Sequence, residues 1–111
     1  MQNYNLPSVN TGNTFYGVRF ILPSNPIYSL DGATIKMMVK TKPDAQPVAS
    51  FSSDEEDGKI VIIDDRTLEI SQHKIDLLPN NYQYDILFEF ADGRKSTLIG
   101  GGWIINKVIT D

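Results

Sequence analysis

The chain has 111 residues, of which 41% are hydrophobic, 10% aromatic and 22% charged, and its net charge at pH 7 is −4. This composition is typical of a globular protein, and a chain of this length buries roughly 65% of the surface that its unfolded form exposes, which is enough for one core. The absence of cysteine excludes disulfides, thiolate zinc sites and thiol nucleophiles. The acidic balance argues against nucleic acid as a partner, because phosphate binding depends on Lys and Arg.

The first seven residues lack the basic segment and apolar run of a signal peptide, and no apolar stretch approaches the ~20 residues of a membrane span. No linker or internal repeat divides the sequence. We therefore expect one soluble domain over residues 1–111, made in the cytoplasm and without a membrane span.

Apolar residues alternate with polar ones through the first half of the chain, a pattern typical of half-buried β-strands. Pro23 ends the first of these predicted strands, since proline cannot donate a ladder hydrogen bond. The first strand covers residues 14–22, and its predicted inward side chains are Tyr16, Val18, Phe20 and Leu22. The second covers residues 33–40, with Ile35, Met37 and Val39 inward.

The middle of the chain predicts shorter elements. A short strand over residues 48–52 leads into an acidic turn, and a tight hairpin follows in which residues 59–63 pair with residues 66–71. The predicted inward side chains of this hairpin are Ile60, Ile62, Leu68 and Ile70. Residues 72–78 are the one helical candidate, and because Pro79 stops them after roughly two turns, a short 3₁₀ or α turn is predicted.

The clearest strand in the sequence covers residues 82–90, and its inward side chains are Tyr82, Tyr84, Ile86, Phe88 and Phe90. A turn containing Gly93 reverses the chain into a strand over residues 94–99. Residues 100–102 are three glycines, which indicate a bulge or bend where the strand passes from one sheet to another, rather than a flexible linker. Residues 103–110 then resume the strand.

Seven to nine short strands with frequent turns and at most one short helical turn predict an all-β fold, an antiparallel sandwich or small barrel. The corner from Leu78 to Tyr82 resembles the tyrosine corner of immunoglobulin-like domains, where a tyrosine hydroxyl bonds back to the preceding loop. The alternative is that Tyr82 is an ordinary aromatic core residue.

Reactive side chains are few, and no catalytic, cofactor-binding or metal-binding residue is predicted. His73 is the single histidine and has no triad or zinc partners at suitable spacing. The acidic residues 54–57 lack the alternating ligands of a calcium loop, so a solvated turn is expected. Asp64 and Asp65 are adjacent turn residues rather than a glycosidase pair. Trp103 and the tyrosines could stack on sugar rings, which leaves carbohydrate binding as an alternative.

A set of turn and strand markers runs through residues 8–110. The markers include residues 12–15, 25–27, 30–35 and 58–60, together with Leu78, Tyr82, Gly93 and Gly102. In these the chain resembles the small immunoglobulin-like domains encoded in phage and prophage tail clusters, which are similar to the N-terminal portion of baseplate upper proteins and of tail-fibre-associated proteins. The resemblance implies an antiparallel immunoglobulin-like β-sandwich.

The same resemblance implies a non-enzymatic structural component of a virion tail or baseplate, located in the virion after synthesis in the bacterial cytoplasm. Its expected partners are other tail or baseplate subunits and further copies of itself. The predicted interface edge is the closing strand, through Trp103, Ile105 and Ile109, because apolar residues occupy both of its faces and an open strand edge can extend a sheet into a neighbour. The alternatives are a bacterial carbohydrate-binding or adhesion module and a small enzyme.

Overall fold

The computed structural model describes residues 2–23 and 28–108. Within these ranges all regular secondary structure is β-strand, and no helix is present. The all-β prediction is therefore confirmed at this level. Eleven strands are present in the described part, more than the predicted seven to nine, because several are only two residues long. They are β1 (Gln2–Asn3), β2 (Val9–Asn10), β3 (Thr14–Phe15), β4 (Val18–Ile21), β5 (Thr34–Lys40), β6 (Ala49–Ser52), β7 (Ile60–Ile62), β8 (Thr67–Ile70), β9 (His73–Lys74), β10 (Asn80–Glu89) and β11 (Lys95–Asn106).

The strands form one large sheet, one three-stranded sheet and one two-stranded sheet. The large sheet has the order β1-β11-β10-β5-β6, with β2 also paired to β11; the smaller ones are β4-β8-β7 and β3-β9. Pairing is antiparallel except that β1 and β2 both run parallel to β11. The large sheet is therefore mixed, not purely antiparallel as predicted, because the N-terminal segment lies alongside the last strand in the same direction.

The core confirms the period-two patterns. All five predicted inward residues of the strand predicted over residues 82–90 are buried, although β10 itself ends at Glu89. Ile35, Met37 and Val39 of β5 and Leu68 and Ile70 of β8 are buried as well. Residues from the large and the three-stranded sheets belong to one hydrophobic cluster. A cluster shared in this way ties the two sheets to each other through apolar burial.

Tyr16 is the exception in the first predicted strand, since 80% of it is exposed. Gly17 follows with a φ of +90° and divides the predicted strand into β3 and β4. A Cβ at position 17 would lie 2.7 Å from the carbonyl oxygen of Ile70, so only glycine fits there. The left-handed residue interrupts the alternation and turns Tyr16 outward.

The predicted helical turn over residues 72–78 is wrong. Residues 73–74 form β9, which pairs with β3 so that His73 lies opposite Phe15. The backbone N–H of Ile75 donates to the carbonyl of Asn13 over 2.9 Å, and the Ile75 carbonyl accepts from Gly12. The Ile75 side chain is buried. The backbone groups that a helical turn would use are thus committed to residues 12–15.

The predicted break at the three glycines is also wrong, because β11 runs without interruption from Lys95 to Asn106. The register shift falls earlier: Ile86 lies opposite Ile99 and Leu87 opposite Thr97, so Leu98 is the extra residue. Of the three, Gly101 serves close packing. A Cβ on Gly101 would overlap the carbonyl oxygen of Tyr4, which crosses directly over it.

Candidate interaction surface

The predicted interface edge on the closing strand is not open. On the side away from β10, β11 is covered by the N-terminal segment: Tyr4 N–H donates to Gly100, Leu6 N–H to Gly102 and Thr11 N–H to Asn106. Trp103 and Ile105 are 0% and 2% exposed and belong to the core. Ile109 lies outside the described residues. The edge prediction is therefore wrong for Trp103 and Ile105, because it treated the last strand as having a neighbour on one side only.

Tyr82 makes the backward contact that the tyrosine-corner prediction describes. Its hydroxyl donates to the carbonyl oxygen of Leu78 over 2.6 Å, while its ring is buried. Burial raises the pKa of the Tyr82 phenol, since the charged form would lose hydration. Gly93 lies in the hairpin turn with a φ of +93°, and its N–H donates to the carbonyl of Phe90.

Tyr82→Phe is expected to reduce the free energy of unfolding by about 1 kcal/mol, since the ring stays packed while the Leu78 carbonyl loses its donor. The lower end of the usual range applies because Leu78 is exposed and water can replace the hydroxyl. Urea denaturation measures the change. Tyr16→Phe is the matched control and should leave the midpoint unchanged; equal midpoints for Tyr82→Phe and the wild type would reduce Tyr82 to a packing residue.

The residues considered for chemistry are separated in the structure. His73 packs its ring against Phe15 and Phe51. Asp64 accepts a hydrogen bond from the backbone N–H of Arg66, which holds the pKa of its carboxyl below its usual value. In the acidic turn, Asp54 accepts a hydrogen bond from the Ser52 hydroxyl. Among residues 2–23 and 28–108, no three acidic or His side chains converge as a metal site would require.

The outward face of the three-stranded sheet carries exposed apolar side chains that the strand register aligns. One row across the sheet is Ile21, Thr67 and Ile63, and the next is Arg19, Glu69 and Val61. Ile21 is 71% exposed, and Ile63 and Val61 are also exposed. We call these six residues the β4-β8-β7 face. An Arg19–Glu69 ion pair of 2.9 Å crosses it, so its charged residues neutralise each other.

The same sheet ends in an open strand on the β4 side. Leu22 N–H donates to the carbonyl of Arg66, so the backbone groups of Leu22 point towards the segment that leads into β8. The register gives the backbone groups of Phe20 and Val18 the same direction. Because backbone groups alternate in direction along a strand, those of Arg19 and Ile21 point away from β8. No backbone group in the described ranges pairs with them.

Sequence patterning missed this face as a site. The alternation that buries Phe20 already places Arg19 and Ile21 outward, so that part of the signal was available. The alignment of Ile21 with Ile63 depends on both lying next to Thr67 of β8. Residues 21 and 63 are far apart in sequence, and their pairing has no local signature.

An exposed aromatic platform for sugars does not occur in the described part of the chain. Trp103 is buried, and the exposed aromatic residues, Tyr4 and Tyr16, belong to different segments. Tyr4 packs edge-on against Phe20 at 5.2 Å between ring centroids, which leaves Tyr16 alone.

Within residues 2–23 and 28–108, no helix is long and apolar enough to cross a membrane. Comparison of the sequence with protein-family models finds no match. A search of curated proteins also finds no significant relative.

Proposed function

We propose that this chain is an immunoglobulin-like β-sandwich that works as a non-enzymatic assembly part, binding other protein subunits rather than turning over a substrate. The observation that carries the proposal is the β4-β8-β7 face, which presents Ile21, Val61 and Ile63 to solvent beside the open edge of β4. Aligned apolar side chains next to unpaired strand groups are features of protein-binding surfaces.

The sandwich assignment is supported by the strand order. From β4 onward, omitting the two-residue β9, the strands follow one another as B, C, C′, D, E, F and G of an immunoglobulin variable-type domain do, without the C″ strand of that domain. One sheet then holds C′, C, F and G, and the other holds D, E and B. The hydroxyl of Tyr82 at the start of β10, the strand equivalent to F, supports the same assignment.

The identity of the partners follows from the resemblance described for residues 8–110. It indicates subunits of a phage or prophage tail or baseplate, with the virion as the final location. Virion parts sit in symmetric rings or trimers, where every copy uses the same pair of complementary surfaces towards its two neighbours. The β4-β8-β7 face is the surface we assign to such a contact.

Ile21→Lys tests the assignment. The residue is largely exposed, so the domain should stay folded, while the charge should weaken self-association or subunit binding by about tenfold or more, since it places an ammonium in an apolar contact. Ile104→Lys is the matched control because Ile104 is exposed on the large sheet. Sedimentation and pull-down with the products of adjacent tail genes measure the effect.

Three results would contradict the proposal. A wild type that is strictly monomeric and ignores those gene products removes assembly as the function. Retention of such a wild type on a polysaccharide affinity gel favours the carbohydrate-binding alternative. Equal loss of binding in Ile21→Lys and Ile104→Lys removes the β4-β8-β7 face as the site.

A further inference from the structure

The open edge of β4 lies in a part of the chain without acidic residues. All 14 acidic residues come after residue 30 of the sequence, so residues 14–23, which contain β4, have none. The cation within β4, Arg19, is paired with Glu69 of β8 over 2.9 Å. Two copies of a chain with a net charge of −4 therefore repel each other less along this edge than along a strand flanked by carboxylates.

The other outer strand of the same sheet, β7, shows the contrast. The acidic residues 54–57 precede it, and Asp64 and Asp65 follow directly after Ile63. Pairing two copies through β7 would bring these carboxylates together, and like charges that face each other are destabilising. Of the two outer strands of this sheet, β4 is the one that accepts a second copy without this repulsion.

The backbone of β4 is complementary to its own copy. Arg19 and Ile21 direct their N–H and C=O groups away from β8, while Phe20 between them is paired with it. A two-fold axis perpendicular to the sheet sets a strand antiparallel to its copy, with the same side chains on the same face. The axis must lie at a residue, because any other position places an outward side chain opposite an inward one.

The side chains select one of the three possible axis positions. An axis at Arg19 sets two guanidinium groups opposite each other, and an axis at Phe20 sets each Arg19 opposite Ile21 of the other copy. An axis at Ile21 instead pairs the two isoleucines and moves Arg19 next to Pro23, whose carbonyl can accept from the Arg19 N–H. Apolar pairs stabilise a sheet and like charges destabilise it, so the axis at Ile21 is favoured.

We propose, on the basis of the assembly function above, that two copies of this chain pair antiparallel through β4, with Ile21 of each copy opposite Ile21 of the other. The row Ile21, Thr67 and Ile63 of the β4-β8-β7 face is then continued by the same row of the second copy. Two three-stranded sheets become one six-stranded sheet. A two-fold contact closes at two copies, so within a larger assembly it links subunits in pairs or joins two rings.

The dimer is expected to be weak in isolation. One four-residue strand from each copy makes a contact at the small end of protein interfaces, below about 1,200 Å². We therefore expect a dissociation constant between about 10 µM and 1 mM. Additional contacts in a larger assembly would raise the effective concentration of the paired strands.

The chain has no cysteine, so introduced thiols report the register. Ile21→Cys places two thiols across the axis at a Cα separation of about 5.5 Å, which a disulfide spans. We expect it to form a disulfide-linked dimer at least about fivefold faster than Ile104→Cys, whose exposed position on the large sheet reports random collision. Arg19→Cys, on the same strand and face, should be as slow as this control because its two thiols lie about 13 Å apart.

Hydrogen exchange measures the pairing in the unaltered chain. Arg19 and Ile21 each donate an amide hydrogen across the axis in the proposed dimer. Their exchange should be at least about twofold slower at about 1 mM protein than at about 20 µM. The exchange of Tyr16, which lies outside β4, should not depend on concentration.

The outcomes separate this pairing from the assembly function. A wild type that is monomeric at about 1 mM but binds the products of adjacent tail genes removes the second copy as the partner and leaves assembly standing. A wild type that does neither contradicts both. Ile21→Cys linking no faster than Ile104→Cys, or a mixture of Arg19→Cys and Ile21→Cys linking preferentially to each other, would overturn the axis at Ile21.

Discussion

Gly101→Ala is expected to reduce the free energy of unfolding by about 3 kcal/mol or more. The added Cβ would overlap the backbone carbonyl of Tyr4, and backbone atoms cannot rotate away as a side chain can. Relief requires the N-terminal segment to move off β11. That movement would break the hydrogen bonds from Tyr4 to Gly100 and from Leu6 to Gly102, and it would expose the buried Leu6 side chain.

Gly102→Ala is the matched control, one residue along the same strand. A Cβ there would meet the side-chain oxygen of Asn5 at 3.4 Å, an ordinary contact, so a loss below about 1 kcal/mol is expected. Urea denaturation followed by Trp103 emission measures both variants. Equal midpoints for the two would mean that the N-terminal segment does not lie over Gly101 in solution.

The strands that could be predicted are those whose signal is local. In β5, β8 and β10, burial alternates along the chain itself, so the identity of every second residue suffices to place it. The turn at Gly93 also has a local signal, because glycine readily takes the positive φ found there. The hydroxyl contact of Tyr82 spans only four residues, and its short range made it readable from sequence.

The features that were mispredicted depend on partners distant in sequence. The segment Gln2–Asn3 has no apolar alternation, yet it pairs with the edge of β11 that was predicted to be free. In the sequence alone, the three glycines indicate a break in the strand. The packing role of Gly101 depends on the segment around Tyr4, which is distant in sequence. His73 sits in a short polar stretch that favours a turn, and only its pairing with Phe15 makes it a strand residue.

The left-handed backbone at Lys59 could not be predicted for the same reason. Lysine is not a residue that favours positive φ, and the hydrogen bond that the Lys59 carbonyl accepts from Ser71 N–H joins residues that are distant in sequence.

Ile105→Lys is expected to unfold the domain or destabilise it by about 4 kcal/mol or more. The side chain is 2% exposed and belongs to the hydrophobic core, and a buried, unpaired ammonium loses its hydration without compensation. The register places Ile105 between Asn80 of β10 and Val9 of β2. Its neighbours on both sides are thus strands of the same chain, which is why this substitution cannot serve as a probe of subunit docking.

Ile104→Lys provides the comparison, since the adjacent residue is 46% exposed on the other face of the same strand and a lysine there keeps its ammonium in water. A loss below about 1 kcal/mol is expected for it. Thermal unfolding by circular dichroism measures both, and a folded, soluble Ile105→Lys with a wild-type midpoint would show that β2 does not cover this end of β11. In that case Ile105 would again be available as an interface residue, and docking would have to be assigned to the closing strand instead of the β4-β8-β7 face.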